Sequence, residues 1–507
     1  MLTGPINWDS IFDTYYCPSE CLWTLQAVRY GYIKLESRFS MDKPRSHKVT
    51  IVAPTCFYYQ GPLFRALAAD NRIDLMVIFC TDEGVSGIDI ASAYGTIESW
   101  GSEADLLEGY NSKFIRNHAP GGSYLKSLVG LFNLGIWQEL NRTRPNAVVV
   151  MSWMNPTWWL TFFACLRFRI PMLLMTDANA DAEQLKSTWK SWLKRIFLGY
   201  FLFPSASGFL CAGTANKQLY ALYGAPDRKL FDFAYSWGYA SLIEKSKLLR
   251  NQKSELRTQY GLPQDAVIIL YCGRLSTEKG VIELIDAYKL VLHPRKALVL
   301  VGDGRLRRQL QETANAHGIE SIYFMGFQNR EEIGKFYSLS DIFVLPSRRE
   351  TWGMVVNEGL CFSLPVVTSD QVGSGRDLVI HGENGYVFPA GDVSALAKGI
   401  SRLIDLPDED LLKMGEKSWS IINEWTNRDI AAAMVESLEL AGPESNGRVV
   451  TLLLTFFRGL PASIAFSLVF SIISFMWFFG FSFLLFRPFL RRIRNMLKRV
   501  GRNLKSA

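Results

Sequence analysis

"AVIILYCGRLSTEKG", residues 266–280, runs from an unbroken apolar stretch through a glycine turn into the start of a helical pattern. A strand of a parallel sheet is covered on both faces and reads as a near-continuous apolar run. A strand, a glycine turn and a helix together present backbone N–H groups to an anion. Arg274 and Lys279 add two cations, and Gly273 the turn, at the carboxyl-terminal edge of this strand. A diphosphate needs such a pair, because negative charge grows on it as it leaves. Taken alone, the stretch also fits a solvated loop with two ordinary basic residues.

Three further turns of the same kind decide between these readings. "VGDGR" (301–305) carries Gly302 and Gly304, "LPSRRETWGMVVNEGL" (345–360) follows another apolar run, and "SDQVGSGRDLV" (369–379) a third. All fall at carboxyl ends of predicted parallel strands, where doubly wound sheets place their ligands. Within residues 348–360, Glu350 and Glu358 stand eight positions apart. On one continuous helix their carboxylates would lie roughly 80° apart. A better arrangement keeps Glu350 in a loop, starts the helix near Gly353, and sets Glu358 about a turn and a half into it. A helix start attracts phosphate and carboxylates bind diols, so the stretch predicts a phosphorylated sugar.

Around this region the chain alternates apolar runs with longer helical patterns. Strands are predicted at 48–54, 74–80, 146–153, 171–177 and 208–213, then at 266–274, 297–304, 321–327, 341–347, 365–370 and 385–390. Helices are predicted over 280–292 and 305–318. Two successive arrays imply an α/β protein of two doubly wound, Rossmann-like parallel-sheet domains. The expected organisation is an N-terminal extension (1–47), a first domain (48–240), a second domain carrying the anion turns (241–425), a returning helix or linker (426–447), and a hydrophobic segment with a basic tail (448–507). The junction falls in the polar stretch 240–262.

Composition narrows the function classes. The 507 residues are 49% hydrophobic and 20% charged, which is globular with a slight membrane bias. Net charge is +7, but residues 487–507 alone hold eight cations and no acid, leaving the remainder at −1. A near-neutral body with one charged end argues against nucleic acid and for an anchor. The eight cysteines are scattered, mostly in strand-like runs, and read as reduced buried thiols of a cytoplasmic protein. Cys17 and Cys21 are the only close pair, with no further zinc ligands nearby, and the five histidines show no metal-like spacing. The first residues lack the basic region and apolar core of a signal peptide.

Gly273-Arg274 with Lys279-Gly280, the Glu350 to Glu358 stretch, "PVVTSDQVGSGRDLV" and "GENGYVFP" together resemble the donor domain of family 4 retaining glycosyltransferases of GT-B fold. The resemblance covers about residues 48 to 425, closely in the second domain and more loosely in the first. It implies that Arg274 and Lys279 hold a nucleotide diphosphate, that Glu350 contacts donor-sugar hydroxyls, and that Glu358 binds the ribose diol. Backbone groups near Trp352, Gly353 and Met354 would reach the sugar or phosphate, and Gly326-Phe327 would meet the base. It also implies retention at the anomeric carbon and no metal or other cofactor. The first domain departs from the pattern. Its opening turn, "APTCFYYQGPLFR", offers only Gly61, and no histidine follows a middle strand. Asp177, or Asn179 beside it, is left for that place; Asp177 reads equally as a helix cap.

Two segments suggest a membrane face. In 184–203, Lys186, Lys190 and Lys194 recur every four residues beside Trp189 and Trp192, a basic stripe with interfacial aromatics or else a solvated helix. The run 459–486 holds 28 uncharged residues, enough for one span. Arg491, Arg492, Arg494, Lys498 and Arg499 then alternate with apolar residues as in an amphipathic helix on an anionic leaflet. The expectation is a membrane-associated glycosyltransferase on the cytoplasmic face, moving a sugar from a nucleotide sugar to a lipid or lipid-linked acceptor. The competing readings are a nucleotide-sugar epimerase and a non-catalytic membrane scaffold.

Overall fold

The computed structural model describes residues 46–440, apart from 58, 87–105, 120, 125–129, 153–154, 181–197, 234–237, 320 and 427–428, together with Gly459. The expected membrane residues Lys186, Trp189, Lys190, Trp192 and Lys194, the tail cations Arg491 to Arg499, and Cys17 and Cys21 lie outside the described residues. Among those described, no helix is long and apolar enough to cross a membrane.

Two all-parallel sheets organise the chain. The first takes β1 (His47–Ala53), β2 (Ile73–Phe79), β3 (Asn111–Phe114), β4 (Ala147–Val150), β5 (Met172–Thr176), β6 (Gly208–Cys211) and β7 (Leu230–Asp232), in the order 3-2-1-4-5-6-7. The second takes β8 (Val267–Cys272), β9 (Lys296–Val301), β10 (Ile322–Gly326), β11 (Ile342–Leu345), β12 (Val366–Ser369) and β13 (Gly385–Phe388), in the order 10-9-8-11-12-13. Strand order reverses between β1 and β4 and again between β8 and β11. A doubly wound sheet opens its ligand crevice at such a point.

Each core strand earns its place by alternation. Val49 and Ile51 of β1 share one core with Leu63, Phe64 and Leu67 of α1 (Gly61–Ala69). Val52, one residue on, shares the opposite core with Trp137 of α2 (Gly135–Thr143) and Trp158 and Phe162 of α3 (Pro156–Phe168). Successive side chains of a strand point to opposite faces, so a run apolar at every position needs helices on both sides. Each large side chain so buried contributes about 1.5–3 kcal/mol.

Eleven of the thirteen strands coincide with the predicted runs. The two that do not are both at sheet margins. β3 has the sequence Asn-Ser-Lys-Phe and is largely exposed, and β7 is three residues long. An edge strand has one neighbour and one open flank, so β3 needs no apolar run and carries a charge instead, while β7, Leu-Phe-Asp with its two apolar residues buried, is too short to show a pattern.

Four second-domain helices matter for the site: α6 (Val281–Leu290), α8 (Arg330–Leu339), α9 (Met354–Cys361) and α12 (Asp408–Thr426), the others of that span being α7 (Arg307–Ala316), α10 (Gly375–Leu378) and α11 (Val393–Ile404). In the first domain α4 (Thr214–Leu222) follows β6, and α5 (Ala240–Leu249) links the two domains. A final helix, α13 (Ile430–Leu440), packs against α1 and β7 of the first domain. The chain thus crosses back after completing the second sheet. All six described cysteines are buried and free.

Candidate active site

The carboxyl-terminal edges of both sheets line one cavity of about 630 Å³. From the second domain it takes Gly273 and Arg274 after β8, Gly302 after β9 and Phe327 after β10. Glu350, Trp352 and Gly353 come from the loop after β11, and Met354 and Glu358 from α9. Asp177 reaches it from the end of β5. Three predicted residues are not among the lining. Gly61 opens α1 beside it, Gly304 lies past the β9 turn, and Gly326 closes β10 with its carbonyl accepting from the Gly302 amide at 2.7 Å.

The β8 and β9 turns need glycine for a steric reason. Gly302 has φ +132°, and a Cβ there would collide with the Gly273 carbonyl oxygen. The two turns are packed backbone on backbone, which bares their edge to the cavity. Lys279 lies in a short 3₁₀ turn, Thr277–Lys279, just before α6, and its ammonium pairs with Glu350. Both side chains are mostly buried, at 21% and 15% exposure, so this pair is screened less than a surface one. Arg274 stays exposed at the rim, its carbonyl accepting from the buried Tyr271 hydroxyl at 2.9 Å.

Glu350 is indeed a loop residue. Its amide donates to Gln371 and its carbonyl accepts from Gly373. The helix after it begins at Met354, one residue past Gly353. Glu358 follows on α9, half-buried, and its Oε2 accepts from Tyr337 of α8 at 2.7 Å. Burial pushes the Tyr337 hydroxyl well above its ordinary range, and the nearby Cys272 and Glu358 add to that. Tyr337 therefore stays protonated and donates, holding one carboxylate oxygen while the cavity faces the same side chain. Sequence reasoning missed this tyrosine. It lies 21 residues upstream of its partner, in a different helix.

Asp177 is exposed on the cavity wall, yet the protein packed around it raises its carboxyl above the usual range, and the negative charge of Glu350 raises it further. Asn179, 2% exposed, takes a different role from its neighbour: its Nδ2 donates to the carbonyls of Glu350 and Thr351, each at 3.1 Å. The first domain thereby grips the loop that carries Glu350. A second grip forms where the Thr214 hydroxyl and amide both donate to Asp377, at 2.5 and 3.1 Å. Here Gly213 leaves room for Trp352, whose ring a Cβ would strike. Trp352 is otherwise fixed by Asn357, which accepts from its Nε1 at 3.0 Å, and by stacking on Trp425 at 5.7 Å.

The first-domain wall held a further surprise. Phe57 and Tyr59 line the cavity stacked on each other, with Gln60 beside them. The run "FYYQ" was visible in the sequence, but an aromatic cluster alone reads as core.

Comparison with known proteins agrees with this geometry. The sequence profile described as "Glycosyl transferases group 1" matches residues 252–419. The alpha-D-kanosaminyltransferase of Streptomyces kanamyceticus is 36% identical over 160 residues, which are 31% of this chain and 41% of that protein. The chain spans about half the length of the curated relatives it matches. Among solved structures, Anabaena HepE in complex with UDP and glucose superposes with a TM-score of 0.57 at 18% identity, over 78% of this chain and 99% of that one. Sucrose-phosphate synthase from Thermosynechococcus elongatus does so at 0.54 and 17% identity, over 77% and 98%. Residues 252–419 thus form a glycosyl transferases group 1 domain, within a chain that has the two-domain GT-B fold.

Proposed function

We propose that this protein is a membrane-associated glycosyltransferase that moves a sugar, with retention, from a nucleotide diphosphate donor to a lipid or lipid-linked acceptor. The observation that carries the reading is the meeting of Arg274, Lys279, Glu350 and Glu358 with Asp177 around one cavity between two sheet edges. Arg274 and Lys279 offer fixed positive charge where a leaving diphosphate gains negative charge, with no reorganisation at the moment of reaction. No metal is then required for that task. Glu350, held by Lys279 and by its backbone bonds, is set to receive sugar hydroxyls, and Glu358 the ribose diol. The C1–O bond to the diphosphate breaks and the acceptor oxygen bonds to C1. The acceptor proton passes to the departing phosphate on the same face. HepE was solved with UDP and glucose, which supports a nucleotide-sugar donor here.

The membrane part rests on the sequence of 448–507 and of 184–203, and places the two α/β domains on the cytoplasmic face. The test is a screen of nucleotide sugars for thermal stabilisation of the full-length protein in detergent, followed by product analysis. One donor should raise the melting temperature and be consumed. If none of them does either, the reading is wrong.

A further inference from the structure

The two walls of the cavity differ in chemistry. Among the described lining residues both cations, Arg274 and Lys279, belong to the second domain. Four acids share the same space: Asp177, Asp303, Glu350 and Glu358. A donor diphosphate occupies both cations, and Lys279 is already paired with Glu350. The first-domain wall offers no cation among its described lining residues, and its single charge is the carboxylate of Asp177. The rest of that wall is mostly apolar, led by Phe57, Tyr59, Met151 and Met175, with Gln60 and Thr176 as its uncharged polar side chains beside the Cys56 thiol.

The aromatic pair is stacked, with centroids 5.2 Å apart and planes at 14°, and Tyr124 meets Phe57 edge-on at 5.2 Å. Gln60 ends the loop before α1. It is 5% exposed, its side chain caps no helix amide, and its Oε1 has no hydrogen-bond partner. A buried acceptor without a donor is costly and rare. A hydroxyl presented from the cavity, with a small rotation of the amide, supplies that donor. Polarised C–H groups of a sugar ring pack on the negative face of an aromatic ring. A phosphate in the same place would meet no cation among the described residues of this wall and would face the carboxylate of Asp177, so its charge would go uncompensated.

We propose that the first-domain wall is a subsite for a neutral sugar ring, the terminal residue of a glycan or glycolipid acceptor, and that it rejects an acceptor whose reacting end carries phosphate. The ring lies against the aromatic pair, one hydroxyl bonds to Gln60 Oε1, and the reacting hydroxyl points to Asp177. This rests on the transferase reading and adds the class of acceptor to it.

The test uses full-length protein in detergent and the donor found by the stabilisation screen. Octyl glucoside, octyl galactoside and octyl N-acetylglucosaminide are compared with their 6-phosphates and with undecaprenyl phosphate, reading nucleoside diphosphate release above donor hydrolysis. At least one neutral glycoside should raise release about tenfold or more, while the phosphorylated compounds leave it near the hydrolysis rate. Tyr59→Ala and Gln60→Leu should each raise the acceptor KM by about tenfold with the donor KM within about twofold, and Tyr59→Phe should stay close to wild type. The unchanged donor KM shows that the variants are folded. Equal or better transfer to a phosphorylated acceptor, transfer to neither class, or an unchanged acceptor KM in both variants overturns the proposal while leaving the transferase standing. Failure of every nucleotide sugar to bind or turn over instead removes the transferase reading itself.

Discussion

Tyr337→Phe deletes one oxygen atom and leaves the packing of the ring on Phe343 and Phe362 in place. The lost bond is short, 2.7 Å, and its acceptor is a carboxylate. Hydrogen bonds to charged groups contribute about 1.5–3 kcal/mol. Not all of this is lost in the free protein. Glu358 is half-buried and opens on the cavity, so water replaces part of the donor. We expect the free protein to lose about 1 kcal/mol of stability. On the proposed reading a ribose diol covers the carboxylate and expels that water, and the missing Tyr337 bond then makes binding weaker by about another 1.4 kcal/mol, a tenfold change. Calorimetric titration of wild type and variant with UDP, GDP and ADP reads this directly. The nucleotide that binds wild type should bind Tyr337→Phe about tenfold more weakly. A dissociation constant within about twofold of wild type, in a variant that melts cooperatively, would show that Tyr337 does not position a ligand-binding carboxylate.

Arg274→Ala or Lys279→Ala should cut turnover by at least ~100-fold with the circular dichroism unchanged, and wild-type turnover in either removes the diphosphate assignment. Glu350→Gln should impair transfer more than nucleotide affinity and Glu358→Gln the reverse; equal losses in titrations with the nucleoside diphosphate would show the pair wrongly assigned. Asp177 holds its proton more tightly in the folded protein than in the unfolded one, so its contribution to stability is complete below the ordinary aspartate pKa of about 3.9 and declines as pH rises through the raised folded value. Asp177→Asn should therefore raise the melting temperature near pH 7 relative to wild type, and remove an acid limb of the activity profile centred above about pH 4; two superimposable profiles would deny Asp177 a part in the reaction. For the C-terminal segment we propose helices dipping into the inner leaflet and returning the tail to the same side, against a straight span that would export eight cations. A cysteine at Ser506 should react with an impermeant maleimide only after cell lysis, and labelling of intact cells would establish the straight span.

The sequence by itself determined the two parallel sheets and the glycine turns of the second domain. These are local in cause. An apolar run such as 266–272 must be a strand covered on both faces, and a glycine at its end marks a tight turn; the amides of Gly273 and Gly302, expected to face an anion, instead donate to the carbonyls of Val301 and Gly326. Glu350 in a loop and Glu358 on α9 followed from eight positions of spacing and one glycine. The margins β3 and β7 were not legible, because an edge strand is specified by its neighbour more than by its own composition. What only the tertiary structure decided lies between distant parts of the chain. Tyr337 reaches Glu358 from another helix, Asn179 reaches Glu350 and Thr351 across more than 170 positions, and Asp377 reaches Thr214 across 163. No periodicity or spacing encodes such pairs. They exist because two sheets, each readable alone, close their carboxyl-terminal edges on one another, and the side chains that meet there are chosen by that closure.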